Sequence, residues 1–264
     1  MELSIGLAGT TPVETVREVA ETAERAGFRA LWLNETPGTE PLASLAAAAA
    51  VTERLRLGVG VVALDRSPAE RIAERVGETG VPVERLLLGI GSGGAAHPAA
   101  VVERGVLSLR ELVPGARVIV GGLGPRVRRI GAELADGVLL NWLTPRAAAA
   151  ARDEARSQAS AAGRPVPLVA LYARTAVDEA AHPALRAEAD RYASFPQYAA
   201  NFARLGEGAL DASILAGDAA ALRQGIGAYA DAVDELVLRA VTVGSTAAEI
   251  RRIVDAARPA VEQA

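Results

Sequence analysis

Eight short apolar stretches recur along the chain, and segments with helical periodicity separate most of them. The run within Arg117–Val120 is typical, because it is β-branched and too short for a buried helix. Strands that alternate with helices predict parallel pairing through right-handed crossovers. The predicted strands are Leu3–Leu7, Ala30–Leu33, Arg54–Leu64, Arg85–Ile90, Arg117–Val120, Val138–Leu140, Val166–Tyr172 and Glu235–Val241.

The intervening helices carry ordinary start and stop signals. Ser67 and Thr144 each precede a proline, as an N-cap precedes the first helical residue, and Gly27 ends the first helix. The predicted helices run from Pro12 to Ala26, from Pro41 to Thr52, onward from Ser67, from His97 to Leu112, from Val127 to Ala135, from Thr144 to Ala162 and from Thr246 to Ala257.

This count of strands and helices predicts an α/β fold, a (β/α)8 TIM barrel of about 250 residues. A doubly wound open sheet fits the same alternation and is the alternative. The segment Asp178–Leu215 is predicted to be a helical insertion between strand 7 and its following helix. It carries most of the aromatic residues, which favours a satellite core or dimer contact over a lid. Residues 1–264 are expected to form a single barrel domain.

Composition narrows the choice of partners. The net charge is −4 with both signs interleaved, which argues against a nucleic-acid surface and a basic membrane-binding patch. No apolar run approaches the length of a membrane span, and the first residues lack a signal-peptide pattern. We therefore expect a soluble, cytoplasmic protein that acts on a small molecule.

Missing residue types exclude much ordinary catalytic chemistry. The chain has no cysteine and no lysine, which excludes thiol nucleophiles, thiolate metal sites, Schiff-base lysines and the P-loop lysine. Only two histidines occur, His97 and His182, so a three-histidine zinc site is impossible and no metal site is predicted. A bound organic cofactor becomes the more attractive source of chemistry.

Glycines at two strand ends indicate where an anion would bind. Gly121, Gly122 and Gly124 lie between the fifth strand and a helix start, where free N–H groups and the helix dipole favour a phosphate. A tight turn is the alternative explanation. The stretch Gly89–Gly94 matches G-x-G-x-x-G only weakly, because it follows the fourth strand and no acid ends the next one.

Other candidates also follow strand ends. Gly91, Gly93, Asn141 and Trp142 suit a flat aromatic cofactor, Trp142 by stacking or by packing at the rim. Glu35 is a candidate cofactor-facing or general-acid carboxylate, with a solvated loop acid or helix-capping group as the alternative. His97 begins a helix on the same face and is the second candidate proton donor.

Several motifs together resemble the bacterial luciferase-like family of flavin- or deazaflavin-dependent oxidoreductases. They are AERAGFRALWLNE, AAAAAVTERLRLGVGVVALDRSPAE, RLLLGIGSG, VIVGGLGPRVRRIGAELADGVLLNWLTP and DELVLRAVTVG, in the family's order over nearly the whole chain. The resemblance implies a dimeric barrel that uses coenzyme F-420 or FMN, for hydride transfer or oxygenation of a small organic substrate. The actinobacterial F-420 branch is the most similar.

The resemblance also assigns residues. Val61 and Val62 would back the cofactor ring, beside a cis peptide, and the phosphate would lie at Gly121, Gly122 and Gly124. Many members have histidine directly after the acid that ends strand two, where this chain has Thr36. That departure keeps open a non-catalytic flavin or deazaflavin binder. A barrel enzyme acting on a phosphorylated metabolite is a further alternative.

Overall fold

The computed structural model of the protein describes residues 1–258. The strands of this part of the chain are β1 (Glu2–Leu7), β2 (Ala30–Leu33), β3 (Arg56–Ala63), β4 (Leu86–Gly91), β5 (Arg117–Gly121), β6 (Gly137–Asn141), β7 (Leu168–Ala176), β8 (Ser213–Leu215) and β9 (Glu235–Ala240). The helices are α1 (Val13–Arg25), α2 (Pro41–Ala49), α3 (Ala69–Thr79), α4 (Pro98–Leu112), α5 (Pro125–Glu133), α6 (Pro145–Ala161), α7 (His182–Ala193), α8 (Pro196–Leu205), α9 (Ala219–Gly227) and α10 (Ala247–Ala257).

Parallel strands form the predicted closed barrel. Strands β1 to β7 pair in sequence order, and β9 closes the ring between β7 and β1. The alternation of apolar strands and helices therefore predicted the fold correctly. None of the helices within residues 1–258 combines the length and apolar character needed to cross a membrane.

Side chains alternate between the barrel interior and the surrounding helices, as the pleat of a strand requires. The outward-facing residues and the helices form one large apolar cluster. The inward-facing residues form a separate cluster that fills the barrel. That inner cluster includes Trp32, Leu87, Ile119, Tyr172 and Val237.

A buried carboxylate lies inside the amino-terminal end of the barrel. Glu235 is fully buried, and its Oε1 accepts hydrogen bonds from Ser4 Oγ and Trp32 Nε1, each at 2.7 Å. Arg29 Nε lies 3.3 Å from its other oxygen. Burial raises the pKa of Glu235 despite these partners. This end is packed with side chains, so a ligand has to enter at the opposite end.

The region after strand 7 differs from the prediction in detail. Strand β7 continues beyond Tyr172 because all of its residues are buried. Its last residues, 174–176, pair with the additional strand β8, beyond the point where β6 ends. The sequence Ser213–Leu215 is too short to show a strand period. Helices α7 and α8 form the helical insertion that the sequence predicted.

Candidate functional site

A cavity of about 760 Å³ opens at the carboxyl end of the barrel. Its volume is usual for small-molecule sites, and the loops that follow barrel strands commonly form the ligand site at this face. The lining comes from strand ends and their loops, and from the insertion helices α7 and α8. The sequence-predicted site residues that line it are Glu35, Val61, Gly91, Gly93, Gly121, Gly122, Gly124 and Asn141.

The side chain of Val61 forms an apolar floor. The peptide bond between Gly60 and Val61 is cis, as the resemblance implies. A Cβ atom on Gly91 would lie 2.9 Å from the Val61 side chain, and one on Gly121 would lie 2.5 Å from it. Both positions therefore require glycine for a steric reason. Val61 and the two bare backbones make a surface on which a flat ring can pack.

Polar groups from neighbouring strands support this floor. Asn34 Nδ2 donates to the carbonyl oxygen of Gly60 at 2.9 Å, and Asn34 Oδ1 accepts from Arg239 Nε at 2.8 Å. Tyr172 also lines the cavity, and its buried hydroxyl has no hydrogen-bond partner within residues 1–258. Burial raises the pKa of Tyr172, so the hydroxyl stays protonated. The floor of the cavity therefore contains one hydrogen-bond donor, the Tyr172 hydroxyl, that has no acceptor within residues 1–258.

The amino terminus of α5 forms a second, polar part of the cavity. Gly124 occupies the N-cap position with extended backbone angles, and no side chain in the described part of the chain caps the helix. A Cβ on Gly122 would meet Val127 at 2.6 Å, whereas one on Gly124 would meet nothing within 4 Å. Pro125 has no N–H, and within residues 1–258 no side chain caps the N–H groups that follow it, which leaves them open toward an anion.

Glu35 lines the cavity but is held by a helix on the outside of the barrel. Its Oε1 accepts from Arg75 at 3.1 Å, and the same guanidinium donates to Glu40 at 3.0 Å. The other oxygen, Oε2, is buried without a hydrogen-bond partner in the described part of the chain. The sequence could not show this ion pair, because Arg75 lies on α3, far from Glu35 along the chain. Glu35 is thus tied to the barrel wall through one oxygen.

His97 lies outside the main cavity. It is exposed, directly precedes α4, and lines a shallower neighbouring cavity of about 590 Å³. The two cavities share Pro98, Gly124 and Val127. The structure therefore puts His97 on the outer side of the α5 amino terminus and does not bring it together with Glu35.

Val62 and Trp142 also do not line the cavity. Val62 is fully buried in the layer between barrel and helices, because it points away from the side chain of Val61. Trp142 has a left-handed backbone, φ 55°, and packs beneath the insertion with Phe202. Arg174 stacks on it, with Cζ 4.2 Å from the ring centroid. Both residues therefore act through packing rather than through the cavity surface.

The insertion supplies a wall that the sequence-predicted site residues did not include. Tyr192, Gln197 and Tyr198 line the cavity from α7 and α8. The ring centroids of Tyr192 and Tyr198 lie 4.9 Å apart in an edge-to-face arrangement. The aromatic cluster was visible in the sequence, and Tyr192 and Tyr198 do pack against the small core around Phe202. Both tyrosines also face the cavity.

Comparison with known proteins identifies relatives of this arrangement. The sequence model of the family described as luciferase-like monooxygenase matches residues 3–105 and 103–263, nearly the entire chain.

Solved structures share the fold at low sequence identity. The coenzyme F-420-dependent tetrahydromethanopterin reductase from Methanopyrus kandleri has a TM-score of 0.73 and 17% identity, over 96% of this chain and 97% of that one. An F-420-dependent secondary alcohol dehydrogenase, in complex with an F-420-acetone adduct, has a TM-score of 0.73 and 14% identity, over 98% and 100%. The oxygenating constituent of 3,6-diketocamphane monooxygenase from Pseudomonas putida, in complex with FMN, has a TM-score of 0.69 and 14% identity, over 98% and 99%.

Proposed function

The chain belongs to the luciferase-like monooxygenase family, and on this premise we propose that it is an oxidoreductase that binds coenzyme F-420 or FMN. The substrate would be a small organic molecule, and the reaction hydride transfer or oxygenation. One observation carries the proposal: a single cavity combines the apolar floor at Val61 with the uncapped amino terminus of α5. A flat ring that carries a phosphate needs both features.

The residues present fit such a cofactor. The ring would pack against Val61 between the bare backbones of Gly91 and Gly121. The phosphate would lie at Gly122 and Gly124, where the N–H groups of α5 receive it. Asn141 would lie beside it. When bound, the cofactor supplies the redox chemistry that side chains lack.

The protein's own residues would orient the ring and keep water from one face. The floor leaves only the opposite face open toward the cavity mouth, so a substrate would approach from the side of the insertion helices. Glu35, with one oxygen tied to Arg75, remains a candidate proton donor at the rim. His97 is a weaker candidate for that role, because it lies on the outer side of α5.

One observation favours a second candidate, a flavin or deazaflavin binder without turnover. Thr36 stands where many family members have histidine, and His97 does not face the main cavity. Such a protein would hold the cofactor as a carrier or sensor. Turnover of any substrate above background would exclude it.

Equilibrium titration of the purified protein tests the main proposal. Oxidised F-420 and FMN are added separately, and changes in the ring absorbance and fluorescence report binding. The proposal expects saturable binding of one of them at micromolar concentration, and loss of that binding in Val61→Asp, which puts a charge under the ring. A Val243→Asp variant, at an exposed residue away from the cavity, is the matched control. Binding of neither cofactor would refute the proposal.

A further inference from the structure

Tyr198 of the insertion presents a hydroxyl group to the cavity from a wall that the proposed cofactor contacts do not use. It lies on α8, packs against Tyr192, and lines the cavity beside Gln197. Burial raises the pKa of Tyr198 to about 12, although Arg174 and Asn141 act in the opposite direction. The hydroxyl is therefore protonated near neutral pH and can act as a donor.

Hydrogen bonds behind Tyr198 fix the direction in which this hydroxyl donates. Arg174 NH1 donates to Asn141 Oδ1, and an arginine has only donors, so the oxygen of the Asn141 amide must face Arg174. Its Nδ2 consequently faces Tyr198 and donates to the Tyr198 oxygen at 3.2 Å. Tyr198 thus accepts from behind. No protein acceptor within residues 1–258 takes the Tyr198 hydrogen, which leaves it for a ligand in the cavity.

The charge behind this wall is positive. Arg174 is almost completely buried, and its Nε donates to Glu188 at 3.0 Å. Burial of Glu188 raises its pKa, but the positive charges of Arg174 and of the half-buried Arg239 outweigh this effect and lower it. Two cations therefore act on one half-buried carboxylate, and Arg191 adds a further positive charge from the surface. This excess favours negative charge on an oxygen in the cavity.

We propose that Tyr198 is the hydrogen-bond donor to an oxygen of the substrate that carries or develops negative charge, as a carbonyl or phenolate oxygen does. The word substrate here rests on the proposed oxidoreductase function. Asn141 and Arg174 are positioning residues: they hold the Tyr198 oxygen as an acceptor and polarise its O–H bond. The aromatic rings around Tyr198 select a planar or apolar body for the same molecule.

A pair of probes that differ in the oxygen tests the assignment. The full-length protein, alone and saturated with whichever cofactor binds, is titrated with 4-nitrophenolate and with 4-nitroanisole, in which a methyl group masks the oxygen. Tyr198→Phe should weaken 4-nitrophenolate binding about tenfold to hundredfold, because the loss of a hydrogen bond to a charged group lowers affinity by about that factor. It should change 4-nitroanisole binding less than about twofold. Tyr192→Phe, which removes a neighbouring hydroxyl, is the control and should leave the ratio of the two affinities unchanged.

The positioning role has a separate signature. In Asn141→Asp both side-chain oxygens are acceptors, so Tyr198 would turn its hydrogen toward the new carboxylate while the contact with Arg174 remains. The preference for 4-nitrophenolate over 4-nitroanisole should then disappear, and adding Tyr198→Phe should cause no further loss.

Equal losses for both probes in Tyr198→Phe, or no 4-nitrophenolate binding by the wild-type protein at millimolar concentration, would overturn the assignment. Cofactor affinity, measured separately in each variant, distinguishes this failure from failure of the proposed function.

Discussion

The amino terminus of α5 offers a substitution that separates cofactor binding from folding. Gly124 is its uncapped N-cap residue, and a Cβ there meets nothing within 4 Å. Aspartate is a preferred N-cap residue, so Gly124→Asp should preserve the helix and raise stability by a few tenths of a kcal/mol. The same carboxylate would face any phosphate bound at the helix.

The expected penalty follows from this geometry. At about 5 Å and an effective dielectric constant of about 20, two unit charges repel by about 3 kcal/mol. A phosphate carries between one and two charges near neutral pH, and exposure of Gly124 together with salt reduces the repulsion. A net loss of about 2 kcal/mol remains, which is roughly thirtyfold weaker binding.

Titration with FMN and riboflavin measures this effect, because the two differ only in the phosphate. Gly124→Asp should weaken FMN about thirtyfold and leave riboflavin nearly unchanged. For F-420 the matching fragment is the deazaflavin ring with its ribityl chain. Gly124→Asn has the same shape without the charge, and it should lose much less. Equal effects of Gly124→Asp on FMN and riboflavin, or no effect on FMN, would refute the phosphate site.

Other predictions test the floor, the barrel base and an unrelated cap. Gly121→Ala should lower the free energy of unfolding by about 1–3 kcal/mol and weaken ring binding, because the new Cβ would lie 2.5 Å from the Val61 side chain. Adding Val61→Ala to this variant should restore part of the stability. Urea unfolding measures both changes. The pKa of Glu235 is higher in the folded protein than in the unfolded chain, so protonation of Glu235 stabilises the fold. This stabilisation is fully present below the pKa of Glu235 in the unfolded chain, and it is lost as the pH rises through the pKa in the folded protein. The unfolding free energy of the wild type minus that of Glu235→Gln should therefore increase as the pH is lowered from neutral into the acidic range, and a pH-independent difference would contradict it. Thr246→Ala breaks the capping box of α10 and should cost about 1 kcal/mol without changing cofactor affinity; altered affinity would link this distant helix to the site.

The fold could be predicted because each local signal agreed with the whole. Apolar runs such as Arg117–Val120 predicted the strands, and prolines such as Pro98 and Pro145 predicted where helices begin. Much of the cavity followed, because strand ends meet at one face of a barrel. Strand β8 was missed because three residues carry no period.

The arrangement of polar side chains could not be predicted. Asn141 and Trp142 are adjacent in the sequence and both contact Arg174, yet only Asn141 lines the cavity, whereas Trp142, with its left-handed backbone, packs beneath the insertion. Glu35 pairs with Arg75, and Tyr198 reaches Asn141, across long separations that only the folded barrel creates. The homodimer, the cytoplasmic location and the single-domain organisation stay predictions.

Thermal unfolding with F-420, FMN and NADPH in parallel tests most directly whether the cavity is a site for a ring cofactor. At about one hundred times the dissociation constant, a ligand that binds only the folded protein adds about 2.7 kcal/mol of stability. Tm should rise clearly with F-420 or FMN and not with NADPH. In Gly124→Asp the stabilisation should fall to about 0.9 kcal/mol, because thirtyfold weaker binding leaves the ligand at only about three times the dissociation constant. An unchanged Tm with both ring cofactors would contradict the assignment of the cavity to a ring cofactor.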